Sequence, residues 1–245
     1  MINNLKSKVS KIKESNLILY CFIKRIWFRP YFLGFDFICC YFYSLYLSWR
    51  IFGFSFFPRV FFSNETFRVI VNKSGSAIIQ SNSKIALIFE SFIHGVNRTV
   101  IQIGNNAKLE ISNTFQIGNG CKIIVSDDAQ LILKGSLNGE SSGVTCDSLI
   151  MCSKNIEIGG GTIISWGCYL SDSSNHYVNG RIVNDSIIIG NNVWVSESCT
   201  IGPGTVIGDG CIIGSKSYVK GTFGCRSLLV GCPAKIKRTN IDWSR

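Results

Sequence analysis

The sequence predicts an all-β chain wound as a parallel β-helix. Three observations carry this. A branched aliphatic stands at every sixth position through residues 189–220, at Ile189, Val195, Ile201, Ile207, Ile213 and Val219. Glycine follows at Gly190, Gly202, Gly208 and Gly214. A small or β-branched residue stands four places after each anchor, at Val193, Cys199, Thr205, Cys211 and Ser217. A helical period drifts out of phase with this spacing, and simple strand alternation does not demand Gly at fixed points. A six-residue period stacks one aliphatic per short strand into a continuous core.

Length and composition fit that reading. The 245 residues suffice for one large domain with an extension. Charged residues are 16% and hydrophobic residues 46%, which argues against disorder. The 11 cysteines show neither CxxC pairs nor zinc spacing. Cys121, Cys168, Cys199 and Cys211 occupy the small-residue slot, as reduced core fillers do. The net charge is +10, but residues 1–62 carry nine basic side chains against Glu14 and Asp36, a net of +7. The basic excess is therefore a property of the N-terminal segment, and it points to no nucleic-acid partner for the repeats.

Taken in order, residues 1–62 form a basic, aromatic and helical extension. Residues 1–16 are polar, with Leu5, Val9 and Ile12 on one possible helical face and no secretory signal. Residues 17–62 are dense in Phe, Tyr, Trp and Leu. Residues 31–49 approach the length of a bilayer span, yet Gly34 and Asp36 interrupt them, and five of the nineteen are Tyr or Trp. Three readings stay open: an amphipathic segment on a membrane surface, packing on the β-helix or a neighbouring subunit, and a transmembrane helix. The β-helix itself is expected over 63–238. Its pattern starts loosely at Val71 and Ala77, then runs through Ile103, Leu109, Ile117, Ile123 and Leu131. It resumes cleanly at Cys152, Ile158, Ile164 and Leu170. Asn, Asp and Gly between the anchors supply the left-handed backbone needed at corners. After Leu170 the period breaks. The next anchor is Ile189, at a separation that is no multiple of six, so the polar segment 171–186 leaves the stack as a loop. Loops on rigid scaffolds are where chemistry concentrates. Beyond Val219, residues 221–238 cap the open end, and 239–245 form a polar tail.

Ile189-Gly-Asn-Asn-Val-Trp-Val, the hexapeptides after it and Val230-Gly-Cys-Pro-Ala-Lys-Ile resemble the hexapeptide-repeat acyltransferases, above all bacterial surface-polysaccharide O-acetyltransferases. The resemblance is strong over 150–238, weaker over 65–150 and absent from 1–62. It implies a left-handed β-helix, an exception to the right-handed crossover rule. It further implies homotrimers with sites between subunits, acetyl-CoA as donor and a glycan or glycolipid as acceptor. No metal is expected.

The same resemblance assigns site residues. His176, one of two histidines, lies in the polar loop and would take the acceptor hydroxyl's proton. Asp172 would orient the imidazole, and Asn175 would touch the acceptor. In some relatives a second loop histidine three places on is the base; here that place is Asn179. Trp194 would sit beside acceptor or pantetheine, or serve intersubunit packing. The backbone N–H at Glu197 would hold the oxyanion. Ser215, Lys220, Lys235 and Arg238 would contact CoA, the basic ones as phosphate ligands. His94 reads as structural, and two histidines cannot supply three zinc ligands, which excludes β-helical carbonic anhydrases. No N-terminal βαβ nucleotide domain with a Gly-rich loop is present, which excludes a fused nucleotidyltransferase.

The expectation is thus an acetyl-CoA-dependent O-acetyltransferase of a surface polysaccharide or its lipid-linked precursor. It would be cytoplasmic, with a peripheral place on the inner membrane face. The alternatives are an N-acetyltransferase of a nucleotide-linked amino sugar and a non-catalytic β-helix binding module.

Overall fold

The computed structural model describes residues 35–62, 69–90, 98–177 and 179–244. His94 and the basic residues up to Arg29 lie outside them. Among the described residues, one helix, α1 (Phe35–Phe52), precedes 23 strands, β1 (Val60–Phe62) to β23 (Ala234–Arg238). The strands form three sheets whose members recur every third strand. Sheet A runs β1-β4-β7-β10-β13-β16-β19-β22-β23, sheet B from β2 to β20, and sheet C from β3 to β21. Among the described strands every pairing is parallel except the last, β22 (Leu228–Gly231) with β23. The chain therefore circles a common axis, one strand per face, as the six-residue period requires.

Register follows from the anchors. Ile189 stacks on Ile207, Val195 on Ile213 and Ile201 on Val219, so each full coil spans three hexapeptides. All six anchors are buried, as are Val193, Cys199, Thr205, Cys211 and Ser217 in the small slots. The corners carry left-handed backbone at Asn106, Asp128, Asn192, Ser198 and Lys216 and at Gly161, Gly204 and Gly210. Gly190 is required for a second reason: a Cβ there would lie 2.4 Å from Asp209 Oδ1 and 2.8 Å from the Asp209 amide. The next coil passes too close for any side chain.

The N-terminal end is closed by α1. Leu47 and Ile51 are buried against Val60 and Phe62, and Tyr43 stacks on Phe62 with centroids 4.8 Å apart. These positions recur every fourth residue, so they form one helical face. Ser48 Oγ accepts from the amides of Arg59 (2.8 Å) and Val60 (3.0 Å), tying the helix to the first strand. One face of α1 thus packs on the β-helix. The opposite face leaves Phe42, Tyr46 and Trp49 exposed, next to exposed Phe54, Phe56 and Phe57. No described helix is long and apolar enough to cross a membrane. Two expected boundaries shift. Val60–Phe62, expected in the extension, already pairs with β4 (Leu87–Glu90) in sheet A. The tail 239–245 does not simply trail from the cap, because Trp243 returns to Asn192.

Candidate functional site

The break in the period becomes a clasped loop. β14 (Tyr169–Ser171) lies in sheet B and β15 (Ile187–Ile189) in sheet C, so the loop leaves from the corner between them. Leu170 still stacks on Ile201, so the coil takes in the whole loop beyond its three hexapeptides without losing register. The arms pair as a short antiparallel ribbon, through the Ser173–Asn184 bridge and the Ser174 amide on Val183 O at 2.8 Å. Ser171 Oγ donates to Ser173 O, and the Asn175 amide donates to Ser173 Oγ. Asn175, Asn179 and Gly180 take positive φ (57, 53 and 71°) and turn the tip.

His176 and Tyr177 stand exposed at that tip. The backbone of His176 is held by the Ser174 hydroxyl, which donates to its carbonyl at 3.0 Å. Asp172 is put to a different use from the one expected. It is fully buried, and its carboxylate accepts from the amides of Ser153 (2.7 Å), Lys154 (2.8 Å) and Asn155 (2.8 Å) in the preceding coil. Three amides around one buried carboxylate form a strong anchor. The expectation that Asp172 orients the imidazole is therefore corrected: it fixes the root of the loop, four residues before His176.

Sheet A gathers another group. Trp194 opens β16 (Trp194–Val195) and faces outward, and its Nε1 donates to Ser165 Oγ at 3.3 Å. Lys235 and Arg238 lie exposed on β23, three strands along the same sheet. Three inter-strand steps amount to about 14 Å. At the corner after β16 the Glu197 carboxylate is held below the ordinary range, first by the Ser215 hydroxyl and then by its own backbone N–H. The flanking amides are committed to the coil, Ser196 to Ile213 O and Ser198 to Trp166 O. Lys220 follows β20 in sheet B, so it stands apart from Lys235 and Arg238.

Sequence reasoning missed Trp243. Its ring lies 5.9 Å from that of Trp194, tilted by 44°, and its Nε1 donates to Asn192 O at 2.9 Å. Ile241 and Arg226 exchange two bonds that hold the tail down. The Ile241 amide donates to Arg226 O at 3.0 Å, and Arg226 Nε donates to Ile241 O at 3.1 Å. The one available signal was a lone Trp in an otherwise polar tail.

Comparison with known proteins agrees with this architecture. Residues 186–221 match the family described as bacterial transferase hexapeptide (six repeats). A 24.8 kDa protein in the cps region of Klebsiella pneumoniae is 32% identical over 166 residues, covering 66% of this chain and 72% of the relative. Among solved structures, the polySia-specific acetyltransferase NeuO aligns over 72% of this chain and 89% of its own, with a TM-score of 0.50 at 22% identity. The polysialic acid O-acetyltransferase OatWY aligns over 73% and 90%, with a TM-score of 0.43 at 21% identity. The likeness to NeuO carries the fold, a left-handed parallel β-helix. With its stacked hexapeptides and its Klebsiella relative in agreement, the chain belongs to the bacterial hexapeptide-repeat transferase family.

Proposed function

We propose that this protein transfers an acetyl group from acetyl-CoA to a sugar hydroxyl of a bacterial surface polysaccharide or its lipid-linked precursor. The observation that carries this is the clasped loop: a rigid, buried root at Asp172 presents an exposed imidazole at His176. The Klebsiella relative from a cps region and the polySia acetyltransferase of like fold support a glycan acceptor.

Neutral His176 takes the proton as the hydroxyl attacks the thioester carbon. The Glu197 N–H receives the oxyanion. Collapse expels the CoA sulfur, which takes the proton back from the imidazolium. Lys235 and Arg238 hold CoA phosphates along sheet A, with Trp194 and Ser215 beside the pantetheine. Lys220 and Asn175 complete the set, on the CoA and acceptor sides respectively. The loop leaves the corner between sheets B and C, whereas Trp194, Lys235 and Arg238 lie on sheet A. This separation supports a homotrimer, in which the loop of one protomer faces sheet A of the next. Purified protein is expected to release CoA thiol from acetyl-CoA when offered the glycan. His176→Ala is expected to cut turnover by about 10²–10⁴-fold with the trimer intact; full activity in that variant overturns the assignment.

The protein also sits on the cytoplasmic face of the membrane, where a lipid-linked acceptor is found. The exposed Phe42, Tyr46, Trp49, Phe54, Phe56 and Phe57, next to a basic N-terminal sequence, support this. Because α1 packs on the first coils, deleting 1–62 would test folding as well as binding. Replacing Phe54, Phe56 and Phe57 with Ser is the cleaner test. Flotation with anionic vesicles is expected to fall, and undiminished flotation refutes the membrane reading.

A further inference from the structure

The returning tail does more than cover a corner. Between it and the turns linking sheets C and A lies an open cleft of about 420 Å³, within the range of small-molecule sites. Gly161 and Gly210 line its floor, both at positive φ. Trp243 forms one wall, backed by Trp194. Both indole N–H groups are spent on the protein's own oxygens, which leaves the ring faces for a ligand. Among the described residues, the charged groups of the lining are Glu140, Asp209, Asp242 and Arg226. Arg226 already donates to Ile241 O, and Asp209 accepts from the Asn191 amide at 2.7 Å.

We propose that this cleft is a carbohydrate subsite in which a neutral or amino-bearing pyranose lays its C–H face on Trp243 and its hydroxyls on the carboxylate rim. The proposal rests on the reading of the acceptor as a sugar and narrows it. Flat aromatic walls take up the apolar face of a pyranose, while carboxylates accept from hydroxyl or ammonium groups. The excess of carboxylates sets the class. It repels the phosphates of CoA, which separates this cleft from the donor path along β23, and it repels an anionic sugar. By this charge the preferred acceptor differs from the polySia of the like-folded acetyltransferase.

Saturation-transfer NMR on the full chain tests the idea with three probes: methyl α-D-glucopyranoside, glucosamine and N-acetylneuraminic acid. Transfer to the ring protons of the first two is expected, and none to the third. Trp243→Ala is expected to weaken it about tenfold, Trp243→Phe to regain most of it, and Asp242→Asn to lower glucosamine binding selectively. Equal transfer in Trp243→Ala, no transfer to any pyranose, or equal transfer to N-acetylneuraminic acid overturns the proposal. So does a Trp243→Ala variant that weakens acetyl-CoA binding instead. If Trp243→Ala fails to fold, as a melting curve reveals, Trp243→Phe against Asp242→Asn decides by the same readings. The two readings fail separately. Pyranose binding through Trp243 without thiol release under any acceptor sinks acetyl transfer and keeps the subsite. Thiol release with sugar that Trp243→Ala leaves unchanged sinks the subsite and keeps acetyl transfer.

Discussion

The two halves of the stack use different bricks for the same three faces. From β1 to β12 (Asn155–Ile158) strands run three to five residues. Stacked partners there are unevenly spaced. Phe89 lies on Ile117, Leu109 on Leu131 and Ile123 on Ile150, at three different separations, none a multiple of six. From β15 to β20 (Tyr218–Val219) stacked partners stand three hexapeptides apart without exception. The strands after β15 have two residues each, save β22 and β23. The first half fills its wider core with Phe89 and Phe115, fully buried. The second half fills a tight core with Ile and Val anchors and small corner residues. Longer strands tolerate variable corners because each rung holds itself by several ladder bonds. Two-residue strands hold register only if every corner is alike. The clasped loop leaves between the two halves, after β14. Its root is anchored back into residues 153–155, and its far arm leads into the regular coils.

The comparison breaks first at Phe89. It is fully buried and stacks on Phe62 at 5.3 Å. Phe89→Ala is expected to cost about 3–5 kcal/mol, against about 0.5–1.5 kcal/mol for Ile213→Val in the tight half. Urea unfolding measures both. Hydrogen exchange is expected to show the loss spreading to neighbouring coils of the first half before the second, since coils contact mainly their neighbours. Equal costs at the two sites would remove the distinction between a wide and a tight core.

The next largest effect lies at the junction. Asp172→Ala leaves three amides of residues 153–155 without their acceptor, at about 3 kcal/mol for buried groups. Asp172→Asn retains an acceptor oxygen and is expected to cost less. Both are expected to quicken exchange at 153–155 and raise the KM for acceptor without moving the pH profile. A shifted profile would return Asp172 to the role of imidazole partner.

Gly190→Ala is expected to cost about 1–3 kcal/mol, because its Cβ meets Asp209 at 2.4 Å. In the looser half Gly75 has nothing within 4 Å of an added Cβ, so Gly75→Ala is expected to be neutral. Melting curves of the two variants give the comparison directly, and a neutral Gly190→Ala would deny the tight half its rigidity.

This contrast also explains how much was legible in the sequence. The regular half announces itself because its corners are uniform: Ile189, Val195 and Ile201 point inward by spacing alone. The loop was legible as a gap, since Leu170 and Ile189 are not a multiple of six apart. The first half was only half legible. Its anchors read correctly, but Phe89 and Phe115 keep no period, because their strands end in corners of unequal length. Asp172 was misassigned because a buried carboxylate and a catalytic one look alike in a loop; only the three amides aimed at it decide. Trp243 was invisible as a wall, since its partner Trp194 stands far earlier in the chain and no period links them.

The smallest effect concerns the thiols. Burial pushes Cys121 and Cys152 up to about 12, from an ordinary value near 9. Burial likewise raises Cys211 in the tight half. A neighbouring Cys199 thiol, with burial second, raises Cys168. A thiol held protonated in the fold but free to ionise when unfolded adds stability in full below pH 9. That stability is lost as pH rises from 9 towards 12, by about 1.4 kcal/mol per unit and thiol. At pH 8 a thiol reagent is therefore expected to modify exposed Cys225 and Cys232 and to spare the buried cysteines. Cys121→Ala is expected to give a flatter fall of stability between pH 9 and 12 than the unaltered protein. Identical slopes would show that the wide half admits hydroxide to its core and does not hold that thiol protonated.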